Sequence, residues 1–413
     1  MSEIPSSDAK KKTICYIGNF FFPDGNAAGI RVRSNGRLFR KLGFETFYIG
    51  LTQDETAISR DGSFEVSDDG FRYQCLSYPT GLGGWIRFRK KLHFVTRQLE
   101  ALNPSAIVVY GSLSSSVFSF FLYRWARKRH LTVITDCVDW LAGGVGGRLF
   151  RVAKRLDTEF QKRIVNAQAD GVVTVSSYLQ TYYRSRDCLT VVIPPLFTGT
   201  ERSGTTKPQS GFSSRPIQLY YAGFPFAVGR GQIERRDFKD RLDSAIESLS
   251  ACTEYDFEFN IFGVTKSMYL DAVPEHESLL EALSSRIIFH GKVSNSVALA
   301  SLRRSDYVLL IRDVNKMTSA GFPSKIAEAV GMSIPVITTR TSDLEEYIEH
   351  GETGWLTDVS PDQDYSAVLR EVLNQGSDRA LEMGENCARS RPFSEDRFVD
   401  RVRVFFDKLG ILE

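Results

Sequence analysis

Histidine is scarce and cysteine is unpaired in this chain of 413 residues, and each shortage closes off a chemistry. The five histidines stand at 93, 130, 276, 290 and 350, with no two at ligand spacing, which argues against a catalytic transition-metal centre. The six cysteines (Cys15, Cys75, Cys137, Cys188, Cys252 and Cys387) are scattered and form no CxxC pair. They read as reduced thiols of a cytoplasmic protein, not as a disulfide frame or a zinc site. Neither sign of charge prevails: the formal net charge is +2, which gives no case for a nucleic-acid partner. The opening MSEIPSSDAKKK, residues 1–12, lacks the apolar core of a signal peptide and reads as a disordered tail. Long hydrophobic runs are missing too. Residues 106–123 are uncharged, but five serines and Gly111 break them into strand, loop and buried helix.

What the chain does contain is alternation. A hydrophobic content of 42% with 25% charge is that of a soluble globular protein, and the length predicts two domains. TICYIG at 13–18 is a strand, followed by a loop and a helical pattern in which Leu38, Phe39 and Leu42 share a face before Gly43. Strands at 46–51, 106–110, 131–135, 171–175 and VVIPPL from Val191 alternate with helices at 85–102, to about 129, and around 154–166. Residues 198–215 have no apolar period and many Gly, Ser and Thr, which is a linker composition. The alternation restarts with IQLYYAG and runs through FEFNIFG, RIIFHG, YVLLIR and IPVITT. The expected fold is therefore α/β: a domain over 13–197, a second over 216–390, and mostly parallel sheets facing a central cleft. In the final segment, 391–413, Ser394 suits an N-cap, and Phe398, Val402, Phe405 and Leu409 form one apolar stripe that must dock on something.

Ligands of open parallel sheets bind beyond the carboxyl ends of the strands. The stretch SAGFPSKIAEAVGMSIPVITTR, residues 319–340, offers such a place. Gly321 lets the backbone come close to a ligand, Pro323 fits the first turn of a helix, and the free amides around Phe322, Ser324 and Lys325 make an anion site. Glu328, a turn further on, suits the hydroxyls of a sugar diol. An ordinary βαβ turn with a solvated glutamate fits the same spacing.

The run GFPSKIAEAVGMSIPVITT followed by LEEYIEHGETGWLTD resembles the donor-site signature of family 4 glycosyltransferases of the GT-B fold. VSSYLQTYY with VVIPPL resembles the segment before the interdomain linker of those enzymes, and the first strand, loop and helix ending in KLGFETFYIG match as well. The resemblance implies two Rossmann-like domains and retaining transfer of a sugar from a nucleotide-sugar donor. It implies no required metal and no cofactor beyond that substrate, with a UDP-sugar favoured over a GDP-sugar. It also implies that the last helix returns to the N-terminal domain. Residue by residue, Glu328 matches the acid that binds the donor ribose, and Gly321, Phe322, Pro323 and Ser324 match the loop facing diphosphate and sugar. Lys239, in the expected helix FKDRLDSAIESL, matches the lysine that neutralises the leaving diphosphate, and Gly223 the glycine under the phosphates. Two positions depart from the pattern: Ala320 stands where a second glutamate is common, and Phe224 where an arginine is. Arg230, Arg235 or Arg236 could return that charge, and Arg230 is taken as the candidate.

On the N-terminal side, Asp136 in ITDCVDW holds the position that faces the reaction centre in family members, often as His; it could orient a hydroxyl, or be a turn acid. Asp139 is a weaker candidate. The loop GNFFFPDGNAAGIRVR lacks a GxGxxG fingerprint. It places Gly18, Gly29, Arg31 and Arg33 under the sugar or acceptor, with an arginine able to meet an acceptor phosphate; a solvated helix surface accounts for either arginine alone. GWIRFRKKLHFVTRQL at 84–99, with RWARKRH at 124–130, mixes aromatics and basic residues. That suits peripheral contact with an anionic membrane, as would be met at the inner face of a cell membrane, or a basic helix packed by its aromatics. The expected partners are a nucleotide-sugar and a glycan or polyprenyl-linked acceptor of cell-surface polysaccharide synthesis. A GT-B accessory protein that binds a partner transferase or glycan is the rival reading.

Overall fold

The computed structural model describes residues 12–23, 25–54, 56, 58–59, 62–88, 90–111, 116–140, 148–197, 215–226 and 238–412. The linker residues 198–214 and the candidate Arg230, with Arg235 and Arg236, lie outside these. The chain divides into two compact units, one of residues 1–196 with 395–413 and one of residues 197–394.

The first unit is built on an eight-stranded sheet: β1 (Thr13–Gly18), β2 (Glu45–Thr52), β3 (Glu65–Val66), β4 (Arg72–Ser77), β5 (Ala106–Tyr110), β6 (Thr132–Cys137), β7 (Gly171–Thr174) and β8 (Thr190–Val192). Their order is β3-β4-β2-β1-β5-β6-β7-β8, and every pairing is parallel except β3 with β4. Apolar runs such as AIVVY are buried, as strands covered on both faces require. The helices are α1 (Ala27–Lys41), α2 (Gly81–Phe88), α3 (Lys91–Leu102), α4 (Ser116–Arg127), α5 (Arg148–Phe160) and α6 (Ser177–Arg184). The short β3–β4 hairpin carries no strong apolar period and was not expected. The single helix expected over 85–102 is two, α2 and α3.

The second unit holds β9 (Ile217–Ala222), β10 (Phe257–Phe262), β11 (Ile287–Gly291), β12 (Tyr307–Leu310), β13 (Val336–Thr339) and β14 (Gly354–Thr357), all parallel. Around them lie α7 (Leu242–Ser250), α8 (Lys266–Leu270), α9 (Glu277–Ala282), α10 (Asn295–Arg304), α11 (Lys316–Ala320), α12 (Ser324–Gly331) and α13 (Ser366–Ser390). The order β11-β10-β9-β12-β13-β14 grows outward from β9 in one direction and then from β12 in the other. Crossovers leave opposite faces on the two sides of that seam, so a crevice opens beyond the carboxyl ends of β9 and β12.

The last helix, α14 (Val399–Lys408), belongs to the first unit. A 3₁₀ turn, Glu395–Phe398, precedes it, so Ser394 caps no α-helix directly. Phe398, Val402, Phe405 and Phe406 are buried. Phe406 meets the rings of Phe39 and Phe44 at 5.1 and 5.3 Å, and Phe405 lies over Gly171 of β7.

Candidate functional site

At the seam of the second sheet, β9 is followed by Gly223 and β10 by Gly263. A Cβ on Gly263 would lie 2.9 Å from the Gly223 carbonyl carbon, and its φ of 102° already disfavours a side chain. The two strand ends thus pack backbone on backbone. A Cβ on Gly223 would meet Lys325 Cε at 3.1 Å and Nζ at 3.5 Å, and the Tyr221 hydroxyl at 3.0 Å. The bare backbone of Gly223 therefore lets Lys325, from the first turn of α12, lay its ammonium across the end of β9. No hydrogen bond or ion pair holds that ammonium among the described residues. Burial lowers the Lys325 pKa, with Asp240 and Glu328 opposing and Arg312 and Lys239 adding to the fall.

Helix α12 begins at Ser324, with Pro323 as the N-cap residue and no side chain bonded to its first amides. That leaves the positive end of a helix dipole open beside the lysine. Pro323 is thus one place earlier than expected. Gly321 ends α11 with φ −82°, a conformation open to any residue, so backbone freedom is not the reason for a glycine there. The Phe322 side chain turns away into rings, 5.6 Å from Tyr347 and 5.8 Å from Phe393, which leaves only its backbone for a ligand. Ser324 is exposed. Glu328 is half-buried, and its carboxylate has no hydrogen-bond or ion-pair partner among the described residues. Burial raises its pKa, while Lys325 pulls it back. It also lies close enough to Tyr220 to raise that phenol's pKa further, beyond the larger effect of burial. An acid held there without a donor is poised to receive one. Ala320, where family members often carry a second glutamate, is fully buried.

Beneath these groups lies a fixed ionic pair. Asp240 accepts from the Tyr221 hydroxyl at 2.8 Å and from Arg312 Nε at 2.7 Å, all three side chains being buried. Lys239 is exposed and sits in the turn before α7 rather than on the helix, with its amide on the Pro225 carbonyl at 2.7 Å. The structure thus brings Gly223, Lys239, Ser324, Lys325 and Glu328 to one strand-end crevice. Gly263, Asp240 and Arg312 went unnoticed in the sequence. Gly263 had a signal, as FEFNIFG ends like IQLYYAG; Arg312 closes the apolar run YVLLIR, which points to the same edge.

The first-unit candidates need correction. Asp136 is 1% exposed, and its carboxylate is fully engaged: Arg31 donates to it through Nε and Nη2 (2.7 Å), Tyr16 donates its hydroxyl, and Asn35 lies at 3.4 Å. Arg31 also reaches the Ile193 carbonyl at 2.9 Å. Asp136 therefore locks α1 to β6 instead of facing an acceptor, and Arg31 is not available to an acceptor phosphate. Arg33 is on the same helix and pairs with Asp68 and Asp69. Gly29 lies within α1, where the Asn26 side chain caps its amide at 2.8 Å and a Cβ would crowd the Phe21 backbone. Gly18 ends β1, and its Cβ would meet Tyr110 Cβ at 2.6 Å, so neighbouring-strand packing accounts for it. In the 84–99 stretch, Phe88 is buried against Phe118 and Phe94 packs on the core. Among the described residues no cluster of His, Cys, Asp or Glu is placed to hold a metal ion, and no helix is long and apolar enough to cross a membrane.

Comparison with known proteins bears on the same two units. Residues 26–195 match the family described as Glycosyl transferase 4-like domain, and residues 226–375 match Glycosyl transferases group 1. N-acetyl-alpha-D-glucosaminyl L-malate synthase of Bacillus anthracis is 28% identical over 132 residues, 31% of this chain and 32% of that one. The chain's match thus spans about a third of that relative's length. The fold is similar to the catalytic domain of starch synthase IV from Arabidopsis thaliana bound to ADP and acarbose (TM-score 0.68, 12% identity, 97% of this chain and 99% of that one). It is also similar to HepE of Anabaena in complex with UDP and glucose (TM-score 0.59, 14% identity, 96% and 99%).

Proposed function

Because the chain belongs to family 4 of the glycosyltransferases, with the GT-B fold, we propose that it moves a sugar, with retention of configuration, from a nucleotide-sugar to a glycan or polyprenyl-linked acceptor. The observation that carries the reading is the top of α12. One short helix presents uncapped amides, an unpaired lysine across Gly223 and an unpaired half-buried glutamate. A diphosphate has its donors and counter-charge at the helix start, and a ribose diol has an acceptor at Glu328.

In the transfer itself, negative charge grows on the leaving diphosphate as the glycosidic bond lengthens. In this scheme Lys325, Lys239 and the α12 amides stabilise that charge, the task a metal performs in other transferases. Lys239 therefore acts on turnover more than on affinity in this scheme, and Glu328 on affinity. The UDP and ADP bound by the two fold relatives support a nucleoside diphosphate as the leaving group, and we favour a UDP-sugar. The product would be a cell-surface polysaccharide or its lipid-linked precursor.

A thermal-shift titration of wild type and Glu328→Ala with UDP, GDP, ADP and CMP, and their sugar conjugates, tests this. One nucleotide should raise the melting temperature of the wild type selectively, and the variant should need at least about tenfold more of it, ~1.4 kcal/mol of binding. Equal affinity in the variant would remove Glu328 from the site. No shift with any nucleotide would favour the accessory-protein reading, to which the buried Ala320 already gives some ground.

A further inference from the structure

Thirteen large hydrophobic side chains stand exposed among the described residues, and six of them lie on two adjacent helices of the first unit. Val117 and Phe121 are one turn apart on α4. Val152, Leu156 and Phe160 on α5, with Ile164 in the π-helical turn that continues it, recur every four residues. The two helices run side by side in one direction: Ser116 bonds Asp157, Phe120 meets the ring of Phe160 at 5.9 Å, and Arg127 reaches the Gln168 carbonyl. The exposure is not marginal, since Leu156 is 66% and Val152 58% open. The remaining exposed hydrophobics are scattered over other elements, as single ones normally are.

The charge around this stripe is predominantly basic. Residues 152–165 contain four basic and two acidic residues, and α4 contains two arginines and no acid. Both acids are already matched: Asp157 by Lys154 at 3.4 Å, and Glu159 by Lys162 and Arg163 at 2.6 and 2.7 Å. Arg155, beside Leu156, has no bonded partner among the described residues. An amphipathic helix whose apolar edge is bare and whose flanks are basic is built to lie in the headgroup region of an anionic bilayer. A second copy of the chain fits poorly, because a two-fold contact would set the same basic flanks against each other.

We propose that the α4–α5 face is a docking surface for an anionic lipid bilayer, inserting Leu156 and Ile164 while Arg155 and Arg124 meet the headgroups. The inference stands apart from the donor-site reading, and nucleotide binding plays no part in its test. The full chain would be sedimented with sucrose-loaded vesicles of phosphatidylcholine, with and without phosphatidylglycerol. It should partition onto the anionic vesicles and at least tenfold less onto the neutral ones. Leu156→Glu with Ile164→Glu should cut partitioning at least tenfold, whereas Val66→Glu, an exposed position on β3, should leave it unchanged. Equal partitioning of the double variant, or no partitioning of the wild type, would overturn the proposal. In a second measurement, Leu156→Trp should shift its emission to the blue on adding anionic vesicles, and an unmoved spectrum would overturn it too. A wild-type dimer in sedimentation velocity that the double variant abolishes would assign the face to self-association instead.

Discussion

Lys325 and Glu328 stand three residues apart on α12 with opposite charges and no bond between them. Burial works against the charged form of each, and a bound nucleotide would relieve the destabilisation that results. For Lys325 the folded pKa lies below the ordinary 10.5, so between those values the unfolded chain binds the extra proton and stability rises with pH. Below the lowered value the destabilisation is present in full. Lys325→Met should therefore raise stability by ~1 kcal/mol, or about 2 to 4 °C, while nucleotide affinity drops at least about tenfold. A Met variant that melts lower would show the ammonium to be held by contacts that stabilise it. Glu328 has the opposite sign: its folded pKa lies above the ordinary 4.5, so across that window the folded protein binds more protons and stability falls as pH rises. Nucleotide affinity should fall on acidification through the raised value as the acceptor carboxylate is lost. Isothermal titrations over pH should find that acid limb missing in Glu328→Gln.

Helix α1 shows how a residue's role follows from the face it occupies. Arg31, Asn35 and Leu38 fall at i, i+4 and i+7, which is the buried face of AAGIRVRSNGRLFRK. Read as a glycine-rich loop ending in arginines, that stretch offers cations to a ligand. Its periodicity could have shown Arg31 turned inward, but its partner Asp136 is 105 residues away and invisible locally. The α12 stretch was legible because its features are sequential: a proline at the N-cap, then a lysine and a glutamate on the helix. The positioning of Lys325 over Gly223 was not, since it needs two strand ends to be adjacent. Asp136→Ala should cost about 3 to 5 kcal/mol in urea melts, because it strands the buried Arg31 guanidinium, and Asp136→Ala with Arg31→Met should cost less. A loss of turnover with unchanged stability would instead return Asp136 to the reacting groups.

At the scale of the molecule, two sheets and the final helix were readable because apolar runs set the strands and a single stripe set the helix. Which sheet that helix covers was legible only through the family resemblance, for a stripe names no partner. Its seat is shaped by Gly171 at the start of β7, where a Cβ would stand 2.5 Å from Phe405 Cζ, and by the rings of Phe39 and Phe44 around Phe406. Phe406 is fully buried there, so Phe406→Ala removes a ring from a packed aromatic cluster and should destabilise by about 3 to 5 kcal/mol. The candidate donor groups all come from the other unit, residues 197–394. Nucleotide affinity of the folded Phe406→Ala protein, measured well below its melting temperature, should therefore equal that of the wild type. A parallel loss of affinity would mean that the C-terminal helix helps to hold the strand-end crevice in shape, and that the two units do not answer separately to core packing and to ligand.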